Sequence, residues 1–373
     1  MAAASDRVLG WDILRGLCAV AVAVYHLMYW QGLPALHTFG TYGVYMFFVL
    51  SGSSLAYTYA GRLNSMRGVA AFLATRWLRL APLYVAVCLV FLVFLFFRTG
   101  AWTDSIVERL LMNASFAFGF RDPAIWALGI GGWSLGIEFA YYLAFPLVLM
   151  LLPRRALCAL VATAVVALQW WWIHRTAGSA EGYEINAVAY HQLPAFAAYF
   201  FGGCVIGYWR RQRAGAVPLR WAVAAWVAMA VLMLTLNTAQ AGTQLLGVRG
   251  AVLFTACFAI VFASGHAQVG SRLAPLAKWL GDITYGCYLL HPMVFFGFVW
   301  FVWPHLTAGA IEDIPLPAKC GLLLAVLTLS CVTAAASERW FEAPLRRWGK
   351  RMLAGGNKPP GIVPYSEAAS ISS

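Results

Sequence analysis

The sequence predicts an all-α integral membrane protein, with about ten transmembrane helices in one bundle. Three observations predict it. Of 373 residues, 62% are hydrophobic and only 11% are charged, where soluble domains carry about 25% charged residues. Mean hydropathy is +0.73. Apolar runs of about 20 residues, the length a helix needs to cross a bilayer, recur along the whole chain. Too few charges remain to cover a water-soluble globule, and 17 Trp, 24 Phe and 16 Tyr must sit against something apolar. The same composition excludes disordered, collagenous and disulfide-framework chains.

Taken in order, residues 1–12 form a short polar cytoplasmic segment. The apolar run behind it ends without a small-residue cleavage pattern, so the first span, 13–31, is expected to be a retained anchor. The second span, 41–60, carries Gly43 and Gly52 with Ser51, Ser53 and Ser54. Such small residues permit close helix approach. The third span, 80–97, follows Arg76 and Arg79. The 98–131 connection is the longest, and its middle, 110–120, is too short to cross, so it is expected to lie re-entrant or interfacial. The remaining spans are 132–152, 156–174, 190–209, 219–237, 246–264, 280–303 and 318–337. Residues 13–340 thus form one membrane domain without internal repeats. Residues 341–373 form a cytoplasmic tail, expected to be partly disordered after Leu353, where Gly355-Gly356 and Pro359-Pro360 follow.

The net charge is +12. Its basic residues come in short clusters between apolar runs, which fits membrane topology and not a nucleic-acid footprint. With the N-terminus placed in the cytoplasm, 19 of the 26 Lys and Arg fall on cytoplasmic segments. That asymmetry predicts a multi-pass protein of the cell inner (plasma) membrane with both termini cytoplasmic. The 8 cysteines are scattered singly with no CxxC, and read as small core residues.

An ionisable side chain at bilayer depth is expensive, so each one is a candidate for function. Arg15 and His26 stand eleven residues apart in LRGLCAVAVAVYH. That is about three helical turns, which puts both on one face roughly 16 Å apart. Arg15 alternatively snorkels to the inner headgroups, and His26 alternatively packs as a hydrogen-bonded histidine. Glu138, in GGWSLGIEFAYYLAFPL, lies about as far below the outer end of its span as His26 does below its own. A His–carboxylate pair raises imidazole basicity and fixes its tautomer. A structural ion pair or interhelical polar contact is the plainer alternative. His291 stands mid-span in LGDITYGCYLLHP, with Tyr288 on the same face and Pro292 next to it, and a kink cap is an equal reading. Arg76 and Arg79 stand at i and i+3, a pair suited to phosphate and equally to positive-inside topology or anionic lipid.

The combination resembles the membrane-integral O-acyltransferases of acyltransferase family 3. The matching pieces, in family order, are LRGLCAVAVAVYH, GVYMFFVLSG, RWLRLAPLY, WSLGIEFAYYLAFPL, LGDITYGCYLLHP and ERWFEAPLRR. Two features depart from the pattern. The WSLGIE motif often continues with a second acidic residue and Gln, where this chain has Phe139 and Ala140. Some members also carry a hydrolase-like domain after the helices; without one, transfer is expected to be completed by the membrane domain or a partner.

The resemblance implies ten helices, cytoplasmic acetyl-CoA or another acyl-CoA as donor co-substrate, and no bound cofactor or metal. The acceptor it implies is a hydroxyl on a sugar of an extracellular polysaccharide, O-antigen or lipid-linked glycan. His26, Glu138 and Arg15 are the catalytic residues it implies, with Arg76 and Arg79 on the CoA phosphates. Ser51, Trp133, Ser134, Tyr285, Tyr288 and His291 are further candidates for the pocket. A macrolide or other small metabolite is the alternative acceptor. A proton-coupled transporter using His26 and Glu138 as a relay is the alternative of another class, though such proteins often show inverted repeats.

Overall fold

Each of the ten predicted windows overlaps its own helix: α1 (Leu9–Trp30), α2 (His37–Tyr59), α3 (Met66–Thr99), α4 (Trp133–Leu151), α5 (Arg155–Ala177), α6 (Ala197–Gln212), α7 (Leu219–Thr235), α8 (Gly247–His266), α9 (Ala274–Phe301) and α10 (Leu316–Ser337). The computed structural model describes residues 7–178, 190–213, 215–240, 242–307 and 309–354. The first six residues and the stretch beyond 354, where disorder is predicted, lie outside them. Among the described residues, seven helices are long and apolar enough to cross a membrane. The protein is an all-α, multi-pass membrane protein.

Although α2 is 23 residues long and uncharged, it is not among the seven, because Gly, Ser, Thr and Tyr dilute its hydropathy. Its position explains the composition. α2 is the most enclosed helix and meets protein on most sides, so it does not need lipid-soluble side chains. Its main neighbour is α6, where Gly203 and Gly207 form a GxxxG stripe. A Cβ on Gly203 would lie 2.2 Å from the carbonyl oxygen of Val49, and one on Gly207 2.0 Å from that of Ser53. The Ser53 hydroxyl donates to the Gly203 carbonyl at 3.0 Å. Backbones this close gain dispersion and interhelical hydrogen bonds where the hydrophobic effect offers little. α1 lies against both α2 and α9, and the indole of Trp11 donates to Val261 of α8 at 2.9 Å. At the periphery, α5, α7 and α10 leave Leu160, Trp171, Val227 and Leu324 exposed as a lipid-facing surface.

The 98–131 connection folds back into the bundle. A ten-residue helix, Ile106–Ser115, leads into a 3₁₀ turn, Ala117–Phe120, and a single turn, Pro123–Trp126. Phe116 and Phe118 are fully buried. Asn113 ties the segment together: its amide oxygen accepts from Tyr84 of α3 at 2.5 Å and from the Leu128 N–H at 3.0 Å, and its amide donates to Trp126 at 2.8 Å. Gly119 and Gly136 meet so closely that a Cβ on Gly119 would lie 2.1 Å from the Gly136 carbonyl. α4 therefore starts among side chains, with Ser134, Leu135, Gly136 and Ile137 already buried.

α10 does not end where its apolar window ends. A π turn, Glu338–Glu342, carries it into an amphipathic helix, α11 (Ala343–Ala354). Pro344 has no N–H for the preceding turn, and the wider π turn stands where that bond is missing. The start of the predicted tail is thus helical, and it is seated on α3 through Gly349 against Leu78.

Candidate active site

One end of the bundle opens into a cavity of about 540 Å³ between α1, α2, α3, α4, α9 and α11. Its size falls in the range of small-molecule sites. Arg15, Ser51, Arg76, Arg79, Ser134, Glu138, Tyr285 and Tyr288 all line it. His26, Trp133 and His291 do not.

Arg15 projects into the cavity from α1, with its side chain 22% exposed. Its guanidinium reaches Asp12 at 3.0 Å and the Leu50 carbonyl at 3.3 Å, and it also donates to the Ser54 hydroxyl. Asp12 is nearly buried and also accepts from Arg7 at 2.5 Å; Arg7 reaches across to Asp282 of α9 at 2.8 Å. Burial opposes the charge on Arg7, but its hydrogen bonds and the charges of Asp12 and Asp282 outweigh that and raise its pKa above the ordinary arginine value. Arg15 is held on the cavity wall by bonds within the protein.

Glu138 and His26 do not meet. The Glu138 carboxylate accepts from Ser51 at 2.6 Å and from Tyr142 at 2.5 Å, and it belongs to the cavity. The matched depth predicted for Glu138 and His26 fails for a physical reason. It treats the start of α4 as free, whereas α4 begins packed against the fold-back segment, Gly136 against Gly119. The partner of His26 is another histidine. Its Nδ1 lies 3.1 Å from Nε2 of His291, and the rings stack with centroids 5.2 Å apart. Trp30 stacks on His26 at 5.0 Å with planes 7° apart, and lies 6.0 Å from His291.

Tyr288 stands between the cavity and this pair. It lines the cavity, and its ring centroid is 6.3 Å from that of His291. The Tyr288 and Ser134 hydroxyls are 2.9 Å apart, and both reach the Gly131 carbonyl, at 2.9 and 3.0 Å. Gly131 has φ +76, and a Cβ there would come 3.1 Å from the Tyr288 hydroxyl. Only glycine adopts that turn without strain. Tyr285 anchors α9 to α3 by donating to the Leu80 carbonyl at 2.5 Å. Trp133 lies away from the cavity, with its ring tilted against His191 at 4.2 Å and Phe196 at 5.3 Å.

Arg76 and Arg79 stand at the mouth, and Lys350 of α11 joins them there. A smaller cavity beside it is lined by Arg76, Arg79, Arg346 and Lys350. Arg76 donates to the Tyr59 hydroxyl at 2.9 Å, and its Nε is buried without a hydrogen-bond partner. Arg346 is neutralised by Glu338 and by Glu342 at 3.5 Å. Among the described residues, neither Arg79 nor Lys350 forms a hydrogen bond or ion pair. The mouth therefore presents Arg79 and Lys350 as cations held by no hydrogen bond or ion pair, the arrangement that receives phosphate.

Three participants escape the sequence reading. By hydropathy Asp12 falls in the polar leader, whereas α1 already includes it. Tyr142 is one turn beyond Glu138, and that i+4 spacing is a signal that could find it. Lys350 falls in the predicted tail; the amphipathic spacing of 343–354 is the available clue.

Comparison with known proteins adds to this geometry. A family model described as an acyltransferase domain matches residues 8–335. The chain is similar to the peptidoglycan O-acetyltransferase OatA of Listeria monocytogenes, 25% identical over 390 residues, covering 94% of this chain and 59% of that protein. It is also similar to the acyltransferase MdmB of Streptomyces mycarofaciens, 28% identical over 397 residues, covering 94% of this chain and 93% of that protein. No solved structure matches.

Proposed function

The chain belongs to the acyltransferase family and is an O-acyltransferase; from that premise we propose that it moves an acyl group, acetyl being the expected one, from cytoplasmic acyl-CoA to a sugar hydroxyl of an extracellular polysaccharide, O-antigen or lipid-linked glycan. The observation that carries this reading is the juxtaposition of a cationic mouth with a cavity whose inner end is one aromatic ring away from a histidine pair.

The phosphates of the donor rest on Arg76, Arg79 and Lys350, and the pantetheine arm extends past Arg15 toward Tyr288. The basic end then faces the cytoplasm, in keeping with the distribution of Lys and Arg. The acceptor comes from the opposite side. His26 removes the proton from its hydroxyl, the oxygen attacks the thioester carbonyl, and the C–S bond breaks. CoA leaves as a thiolate and takes up the proton that His26 holds. The Tyr288–Ser134 closure has to open for the thioester to meet the acceptor. Glu138 holds Ser51 and Tyr142 as a wall of the donor cavity, and Arg15 supplies fixed positive charge beside the donor.

The test uses purified full-length protein in nanodiscs, supplied with acetyl-CoA and either cell-envelope glycan or a hydroxylated small metabolite such as a macrolide. Acceptor-dependent release of free CoA thiol, with ester appearing on the glycan, supports the reading. Ester on the small metabolite alone moves the acceptor class. Absence of thiol release, with proton-driven uptake of substrate into vesicles, overturns the enzyme reading in favour of transport.

A further inference from the structure

We infer that His291 is a positioning residue that holds His26 in one tautomer, with the proton on Nδ1 and a free lone pair on Nε2. This assignment rests on the proposal that His26 is the base, and it specifies which nitrogen of His26 does the work.

One carbonyl sets the direction of both hydrogen bonds. Nδ1 of His291 lies 3.1 Å from the carbonyl oxygen of Cys287, one turn earlier on α9. A carbonyl only accepts, so the hydrogen on this bond belongs to Nδ1 of His291. In a neutral imidazole the other nitrogen is then an acceptor. That nitrogen, Nε2, is the atom 3.1 Å from Nδ1 of His26. Two ring nitrogens bond only if one carries hydrogen, and here it is the His26 nitrogen that must. His26 is left with Nε2 proton-free, the state a general base needs.

The surroundings favour a neutral pair. His291 is 1% exposed, and the rings around the two histidines are the aromatic ones of Tyr25 and Trp30 on α1 and Tyr288 on α9. Glu138, the candidate carboxylate by sequence, is bonded to Ser51 and Tyr142 instead. A resting charge on the buried His291 or the half-buried His26 would lack a counter-ion among the described residues. Trp30 lies nearly parallel to His26 and fixes the plane of its ring. When Nε2 takes the acceptor's proton, the Nδ1–H bond to His291 persists and spreads the new charge. A carboxylate fills this place in the serine-hydrolase triad; here a second imidazole, itself oriented by a backbone carbonyl, fills it.

The test combines kinetics with ¹⁵N spectroscopy of histidine-labelled full-length protein in nanodiscs. In the wild type, the His26 signals should show hydrogen on Nδ1. His291→Ala should lose that signature and lower kcat about 100-fold with the acetyl-CoA KM unchanged. His291→Gln, whose amide oxygen can accept where Nε2 did, should restore the Nδ1–H signature and most of kcat. Equal kcat in His291→Ala and His291→Gln, or a wild-type His26 carrying its hydrogen on Nε2, overturns the inference. The wild-type spectrum needs no variant to fold. Full activity in a folded His26→Ala protein overturns the assignment of the base itself, whatever His291 variants do.

Discussion

The imidazoles of His26 and His291 meet at 3.1 Å across 265 positions of sequence, joining α1 to α9 just past the Tyr288 wall of the cavity. Replacing His26 by Ala removes the proposed proton acceptor on that side. Loss of a general base costs about 10²- to 10⁴-fold in rate. The expected outcome is a kcat reduced by that factor, with the protein still folded and acetyl-CoA binding close to wild type. Turnover assays and isothermal titration check the two halves separately.

The cationic mouth predicts a graded response. Arg79 forms no hydrogen bond or ion pair among the described residues, so its guanidinium is available to a donor phosphate. A hydrogen bond to a charged group contributes about 1.5–3 kcal/mol, or roughly 10- to 100-fold in affinity. Arg79→Ala should raise the acetyl-CoA KM by about that much and leave kcat nearly unchanged. Lys350→Ala, at an exposed position, should raise it only about two- to fivefold. Added salt should shrink both effects. An unchanged KM in both variants would assign these cations to topology or anionic lipid.

Glu138 separates two models of the site. Glu138→Ala leaves the Ser51 and Tyr142 hydroxyls without their acceptor and should destabilise the protein by about 1–3 kcal/mol. Glu138→Gln keeps an acceptor oxygen, so it should recover most of that stability. Neither change should alter the ¹⁵N signals of His26. A shift of those signals in Glu138→Gln would show that carboxylate and imidazole are coupled after all.

The α2–α6 seam predicts a contrast between two glycines. Gly203→Ala drives a methyl group into the Val49 carbonyl and should cost about 1–3 kcal/mol or more, by overpacking. At Gly321 of α10, a Cβ would meet nothing within 4 Å, so Gly321→Ala should be neutral or stabilise by up to about 1 kcal/mol. Unfolding midpoints measured side by side in one detergent test the pair.

The helices are legible because each apolar window is bounded by charge or by Gly and Pro, and because a 20-residue run has few alternatives in a bilayer. Arg15, Ser51, Arg76, Arg79, Ser134, Glu138, Tyr285 and Tyr288 are legible as residues too polar or too basic for their level, and they gather around one cavity. Their pairing is not legible. Hydropathy counts along one helix at a time, and it does not see that 117–120 packs against the start of α4. The contact of His26 with His291 depends on how α1 rotates against α9, and no spacing within either helix encodes that rotation. Asp12 and Lys350 escape because each lies where an apolar window has ended and the helix has not.

Tyr288 also bears on how long a bound donor survives. In the proposed reaction, a thioester seated below it and an acceptor above it are separated by one ring, latched to Ser134 and the Gly131 carbonyl. Water arriving with or ahead of the acceptor meets the latch before it meets the thioester. Turnover in that proposed reaction thus becomes conditional on whatever loosens a single phenol.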